Sequence, residues 1–481
     1  MARWKRILAL GLVAGLALVS CGGGDDDGAG GDGGNGGNGG NGEANGGAPE
    51  LPPCPLGAID EAGATPVEIT MWHSMAEENL TTLEALAARF NESQGDVVVS
   101  LLQQPSYDET LTKFKAGLGG GDLPDLIQLE DTATQLMVDS GAALPAQSCV
   151  DDEGYDLSDH LTRVIDYYSV QGVLWPMPFN VSNPVLYFNK KMFTQVGLDP
   201  ENPPSTLDEL REASQTVVDA GAAPVGLAFK QDPWYLEQWM AMAGEPYVNN
   251  GNGRDERATE VVFENEVGLE IFTWLSSMVA DGLAQPASRT GFDNVLALGN
   301  LGAAMTMDTS AVLGTAVQVL EAGGFPEVGL EGLGVAPLPG PEGDGGTFVA
   351  GGSLFILDTG TPAEQEAAWR FAKFLNEPES QAEWAAGTGY IPITRSAAEL
   401  PQVQELWERI PGFKVAYDQL STGPNNVATA GPLIGDFSNQ RRVVVEAMQS
   451  MFTQGTPPDQ ALAAAAQGSN EVVQEYNSRL G

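Results

Sequence analysis

The stretch from Val67 to Phe90 reads VEITMWHSMAEENLTTLEALAARF, and both periods from which this chain is built occur in it. Val67, Ile69 and Met71 recur at the two-residue period of a strand with one buried face. Ser74 and Glu77 follow with the spacing of a capping box, ahead of Leu83, Leu86, Ala87 and Phe90 at the spacing of one helix face. A strand leading into a helix is the unit of α/β folds.

The same alternation continues outward. Strands are expected at 97–102, 125–129, 185–188, 224–229, 303–307 and 351–357, separated by segments of helical period. A helix opening at Ser205 and Asp208 carries Leu207, Leu210 and Val217 on one face and stops at Gly221. Another opens at Thr361, Pro362 and Glu364 and turns Ala368, Phe371, Ala372 and Leu375 inward. The fold class is therefore α/β. The roughly 415 residues after Pro66 exceed one hydrophobic core. They contain no repeat and no Gly/Ser-rich break, so two interleaved lobes joined by hinge crossings are expected, a clamshell topology. The N-terminal lobe is expected over 66–180 and 310–357, and the C-terminal lobe over 184–308 and 360–481.

Ahead of this pattern, Arg3, Lys5 and Arg6 precede an apolar run from Ile7 to Val19. The run is shorter than the roughly 20 residues that span a bilayer, and it reads as an export signal over 1–20. Leu18, Val19, Ser20 and Cys21 resemble the lipobox of bacterial lipoproteins, which implies that Cys21 carries a lipid anchor on the outer side of the cell membrane. Residues 22–50 are nearly all Gly, Asn and Asp and have nothing to bury, so 21–65 is expected to be a flexible tether. Two further cysteines, Cys54 and Cys149, can pair in an oxidising compartment; two free, buried thiols are the alternative.

The chain has 22 Lys plus Arg against 65 Asp plus Glu. Without the three cations of the signal, 19 remain, a net of about −46. Such acidity excludes nucleic acid as a partner and keeps an exported protein dispersed. It also means that an anionic ligand needs a local cationic site.

Catalytic constellations are missing. His73 and His160 have no His or Cys at metal-ligand spacing, and HExxH, CxxC, Walker and GxSxG motifs do not occur, so neither a metal nor another cofactor is expected. The glycines at 119–121 precede a strand, which fits a turn rather than a phosphate cradle. His73, at a strand end, is read as structural.

Several blocks carry a family likeness: MWHSM (71–75), PFNVSNPVLYFNK (178–190), GLDPENPP (197–204), GGSLFIL (351–357), WAAGTGYIPIT (384–394) and RRVVVEAM (441–448). They resemble the extracellular solute-binding proteins of family 1 of ABC importers, and most closely the branch that receives glycerol 3-phosphate and glycerophosphodiesters. The resemblance implies a two-lobed receptor that captures a small polyol phosphate, delivers it to membrane permease subunits, acts as a monomer and is not an enzyme. It implies ligand contacts from Tyr107, Glu130, Ser182, Trp234, Gly351, Tyr390 and Arg442, with Arg442 and Tyr390 on the phosphate and Glu130 on the glycerol hydroxyls. Ser310 is taken over its neighbour Thr309 for a further contact. The branch carries a second tryptophan where this chain has Gln231, which opens space for a larger headgroup such as that of glycerophosphocholine. A sugar or oligosaccharide receptor is the nearest rival reading, and a secreted glycerophosphodiester hydrolase a more distant one.

Overall fold

The computed structural model describes residues 51–63, 66–343 and 345–480. The export signal, Cys21 and the tether up to residue 50 lie outside the described residues. In chain order the strands are Val67–His73 (β1), Val97–Gln103 (β2), Leu126–Glu130 (β3), Ala143–Leu144 (β4), Ser169–Val170 (β5), Val173–Leu174 (β6), Met177–Ser182 (β7), Pro184–Asn189 (β8), Val225–Lys230 (β9), Ala284–Ala287 (β10), Ala303–Thr309 (β11), Leu333–Pro337 (β12) and Ala350–Leu357 (β13). They form two mixed sheets and a small hairpin. The first sheet runs β2-β1-β3-β13-β4, with β7 also on β13, and the second runs β10-β9-β11-β8-β12. β1 pairs in parallel with β2 and β3, whereas β13 runs antiparallel to β3 and β7.

Burial explains the local choices. In β1 the alternating Ile69 and Met71 are buried and Glu68 is exposed. β8 lies between β11 and β12, and every residue from Pro184 to Asn189 is buried, so it reads as a continuous run rather than an alternation. β7 is equally buried but contains Pro178 and Asn180, which weaken a strand signal, and it was absent from the expected set.

Two expected caps differ. The helix Glu77–Ser93 has Ala76 at its N-cap and no side-chain cap. Ser74 is held in the sheet instead: its N–H donates to Gln128 Oε1 at 3.0 Å and its hydroxyl lies 3.0 Å from Thr110 Oγ1. The helix Leu207–Asp219 is capped by Thr206, whose hydroxyl accepts from the Glu209 N–H, and Ser205 donates to the Glu209 carboxylate. At Thr361 and Glu364 a complete capping box opens the helix Pro362–Leu375.

The lobe boundaries also differ from those expected. β12, at 333–337, pairs with β8 and so belongs to the second sheet, not to the N-terminal lobe. The helices Pro362–Leu375 and Pro378–Thr388 pack on β1 and on the helix Glu77–Ser93, so the chain after 360 first completes the N-terminal lobe. It then returns, and the helices Phe437–Gln454 and Pro458–Ser478 pack on Glu266–Ala280 beside the second sheet. Sequential order alone suggested that each late segment stays in one lobe. Apolar faces decide otherwise: Phe371 and Phe374 close on Phe90 at 5.1 and 5.2 Å.

The tether is shorter than expected as well. Ala58–Ala62 is helical, Ile59 is buried, and its N–H donates to Glu366 Oε2 at 2.9 Å. A disulfide between Cys54 and Cys149, with Cα atoms 4.8 Å apart, fastens this incoming segment to the first lobe. The shortest crossing between sheets is a single residue, Asn183, between β7 and β8. Ser310 locks it, donating its N–H to the Asn183 carbonyl at 2.8 Å.

Candidate functional site

β3, β7, β9 and β11 end at Glu130, Ser182, Lys230 and Thr309, and these four residues wall one cavity of about 200 Å³. Carboxyl ends of strands are where open α/β sheets present ligand sites, because the chain leaves the sheet there and side chains can converge without disturbing the ladder. Trp234 and Arg289 from the second lobe and Tyr107, Gly351 and Tyr390 from the first complete the walls. A wider surface depression of about 770 Å³ beside Trp369 and Lys373 shares none of these residues and gathers no strand ends.

Of the expected residues, Tyr107, Glu130, Ser182, Trp234, Gly351 and Tyr390 are brought together, and two are not. Arg442 lies on the exposed face of the helix Phe437–Gln454 and pairs with Glu446 one turn on. Its neighbour Arg441 faces the cavity instead. Ser310 is buried in the Asn183 crossing, and Thr309 takes the wall position, donating to Ser182 Oγ at 2.9 Å. In both cases a one-residue step turned the side chain away from the cavity.

Arg441 is the best-held charge in the site. Its Nε and Nη2 donate to the two oxygens of buried Glu237 at 2.8 and 2.7 Å. Nη1 has no partner among the described residues. Buried guanidinium and carboxylate in such a fork hold each other charged, and the Arg441 pKa rises further, chiefly through Glu237 acting against burial. Lys230 Nζ pairs with buried Asp308 at 2.9 Å, and Arg289 stands 3.8 Å from Asp232.

Carboxylates balance these cations. Burial, and then the charge of Glu130, push Asp131 up to about 7, while Arg441 and the Tyr167 hydroxyl, which donates to Oδ2 at 2.6 Å, oppose the rise. Asp131, Asp232, Asp308, Lys230, Arg289 and Arg441 were not singled out in the sequence. The signal available was only the neighbourhood of matched blocks, such as Asp131 beside Glu130.

A relay fixes Tyr107. Gln128 Oε1 accepts from the Ser74 N–H, and the Asn180 amide bridges Gln128 Nε2, at 2.7 Å, and the Tyr107 hydroxyl, at 2.9 Å. Burial raises the pKa of Tyr107 and of Tyr390, so both remain donors at neutral pH. Trp234 Nε1 is a buried donor with no partner among the described residues. Gly351 has φ +109°, and a Cβ there would lie 2.0 Å from the Asn180 carbonyl oxygen, so only glycine allows β13 to run this close to β7.

His73 lies outside this wall. Its Nδ1 accepts from the Met75 N–H at 3.2 Å, and burial pushes its pKa down to about 4.

Residues 85–411 match the family described as bacterial extracellular solute-binding protein. The sn-glycerol-3-phosphate-binding periplasmic protein UgpB of Pectobacterium atrosepticum is 30% identical over 434 residues, covering 88% of this chain and 95% of that protein. Its Salmonella typhimurium counterpart is 29% identical over 418 residues, covering 85% and 93%. Among solved structures, UgpB from Mycobacterium tuberculosis in complex with glycerophosphocholine superposes with a TM-score of 0.70 at 20% identity, covering 86% of this chain and 99% of that one. The sugar-binding protein MalE of Xanthomonas citri gives 0.72 at 20% identity, with the same coverage. At these identities the two structures establish the two-lobed fold.

Proposed function

The chain belongs to the bacterial extracellular solute-binding proteins, and we propose that it captures glycerol 3-phosphate or a glycerophosphodiester such as glycerophosphocholine for the permease of an ABC importer. The observation that carries this reading is Arg441, buried, gripped by Glu237 on two nitrogens and free on the third at the cavity wall. A buried cation with an open donor is costly unless an anion completes it, and a phosphate oxygen does so with a charge-assisted bond. The protons of Tyr107 and Tyr390 add neutral donors. Glu130 accepts from glycerol hydroxyls on the opposite requirement, and Trp234 walls the backbone of the ligand.

Ligand contacts drawn from both lobes stabilise the arrangement in which the lobes meet, and the equilibrium shifts toward it by the difference in affinity. The chain's part is binding and presentation, with no bond made or broken. Cys21 is the proposed lipid anchor to the cell membrane, and the mature protein is proposed to act as a monomer.

A sugar receptor is the second reading, favoured by four carboxylates on the cavity wall, Glu130, Asp131, Asp232 and Asp308, which suit a ligand rich in hydroxyls. Calorimetric titration with glycerol 3-phosphate, glycerophosphocholine, maltose and trehalose decides between them. Binding of the phosphates alone supports the proposal, and binding of the sugars alone overturns it.

A further inference from the structure

Beside the polar cavity the second lobe has an apolar groove of about 190 Å³ between the helices Asp293–Gly299 and Val312–Glu321. Thr315 contributes the only polar side chain among its lining residues. The two linings adjoin in the chain: Ala311 lines the cavity and Val312, the next residue, lines the groove. On the facing helix, Phe292 lines the groove with its ring 5.8 Å from Lys230 Nζ, a cavity cation. The groove then follows the helix from Val312 to Leu320, about 12 Å at 1.5 Å per residue. Phe325 closes the far end against Gly299, where a Cβ would stand 2.8 Å from the ring.

The groove is also uncovered. Phe292, Leu296 and Val319 are 55%, 44% and 39% exposed, a cluster of large apolar side chains on a strongly acidic, exported chain. Clustered exposure of this kind marks a surface that is covered in use.

We propose that this groove is an apolar subsite continuous with the ligand cavity and that it takes an acyl chain esterified to the glycerol, so that monoacyl glycerophosphodiesters are ligands of this protein. The inference rests on the glycerophosphate reading above, since the polar head in the cavity is what delivers the chain to the groove. An acyl chain is the occupant because the groove lining adjoins the cavity lining at Ala311 and Val312 and at Phe292 beside Lys230, lies between two helices, and lacks the polar groups that a peptide backbone would need.

The test is calorimetric titration of the full chain with glycerophosphocholine and with its 1-butanoyl, 1-hexanoyl and 1-octanoyl esters, each below its micelle-forming concentration. A fully buried methylene improves affinity about fourfold, so the expected result is a rise of at least about tenfold from the butanoyl to the octanoyl ester. Leu296→Asp and Val319→Asp, both at partly exposed positions, should abolish the rise and leave glycerophosphocholine affinity unchanged, which also certifies their folding. Affinity that is flat or falls with chain length, or a rise that survives both substitutions, overturns the inference alone. Failure of glycerophosphocholine and all its esters to bind overturns the ligand reading along with it.

Discussion

Glu237 grips Arg441 through both carboxylate oxygens, at 2.8 and 2.7 Å, and both side chains are buried. The pair holds the guanidinium at the cavity wall and leaves Nη1 without a partner among the described residues. Arg441→Ala is expected to weaken glycerophosphate binding about 10- to 100-fold, the worth of one charge-assisted bond. It should also destabilise the fold by about 3–5 kcal/mol, because Glu237 is left charged and buried. The double variant Arg441→Ala/Glu237→Gln should recover much of the stability and none of the binding. Arg442→Ala removes only a surface pair with Glu446 and should change stability by less than about 0.5 kcal/mol. Urea unfolding and calorimetry on the four proteins check all of this.

Asp131 should make binding depend on pH. With its carboxyl pushed up to about 7, it is largely neutral at pH 6 and ionised at pH 8. Affinity for glycerophosphocholine, a diester that does not itself titrate there, should therefore fall from pH 6 to 8, and Asp131→Asn should flatten the profile. Folding follows the same sign. A carboxyl raised above its unfolded value contributes stability that is present below about pH 4 and is lost as pH rises through 7.

His73 has the opposite slope. Its folded pKa of about 4 lies below the unfolded value near 6.5, so the unfolded chain takes up the proton first and stability is lost as pH falls between those values. A thermal melt series from pH 4 to 7 should be steeper at its acid end in Asp131→Asn than in the parent, because the compensating slope is gone.

Trp234 Nε1 is a buried donor with no partner at the cavity wall. Trp234→Phe should leave the melting temperature unchanged or raise it, since an unmet polar group is removed, while ligand affinity falls about 3- to 10-fold. Equal losses in both would assign the indole to packing.

Cys54 and Cys149 close a loop with a sequence separation of 95. The chain-entropy model gives such a crosslink about 4–5 kcal/mol. Replacing both cysteines by serine should lower stability by a large part of that and release the segment before Val67 to proteolysis, with ligand affinity retained because neither residue reaches the cavity.

Much of the architecture was legible because burial imposes a period on the sequence. β1, β2, β3, β8, β9, β11 and β13 were each expected within a few residues, since alternating or continuous apolar runs identify a strand whatever its neighbours. The capping box at Thr361 was legible for a similar reason, as it depends on residues three apart. β7 and β12 were not, because Pro178 and Asn180 in one and Gly334 and Pro337 in the other weaken the strand signal, and each gains its strand form from the partner it lies against.

The site divides along the same physical line. Sequence blocks located Tyr107, Glu130, Ser182, Trp234, Gly351 and Tyr390, all of which face one cavity. They pointed to Arg442 and Ser310, whereas the neighbours Arg441 and Thr309 take the cavity wall. Adjacent residues point about 100° apart on a helix and to opposite faces of a strand, so a choice between neighbours is a choice of direction. What the sequence by itself determined was the α/β class, the strands and the blocks that hold the site, because these follow from local period and residue type. Only the tertiary structure decided which arginine enters the cavity, because that depends on Glu237, 204 residues away, offering a buried carboxylate that holds it there on two nitrogens.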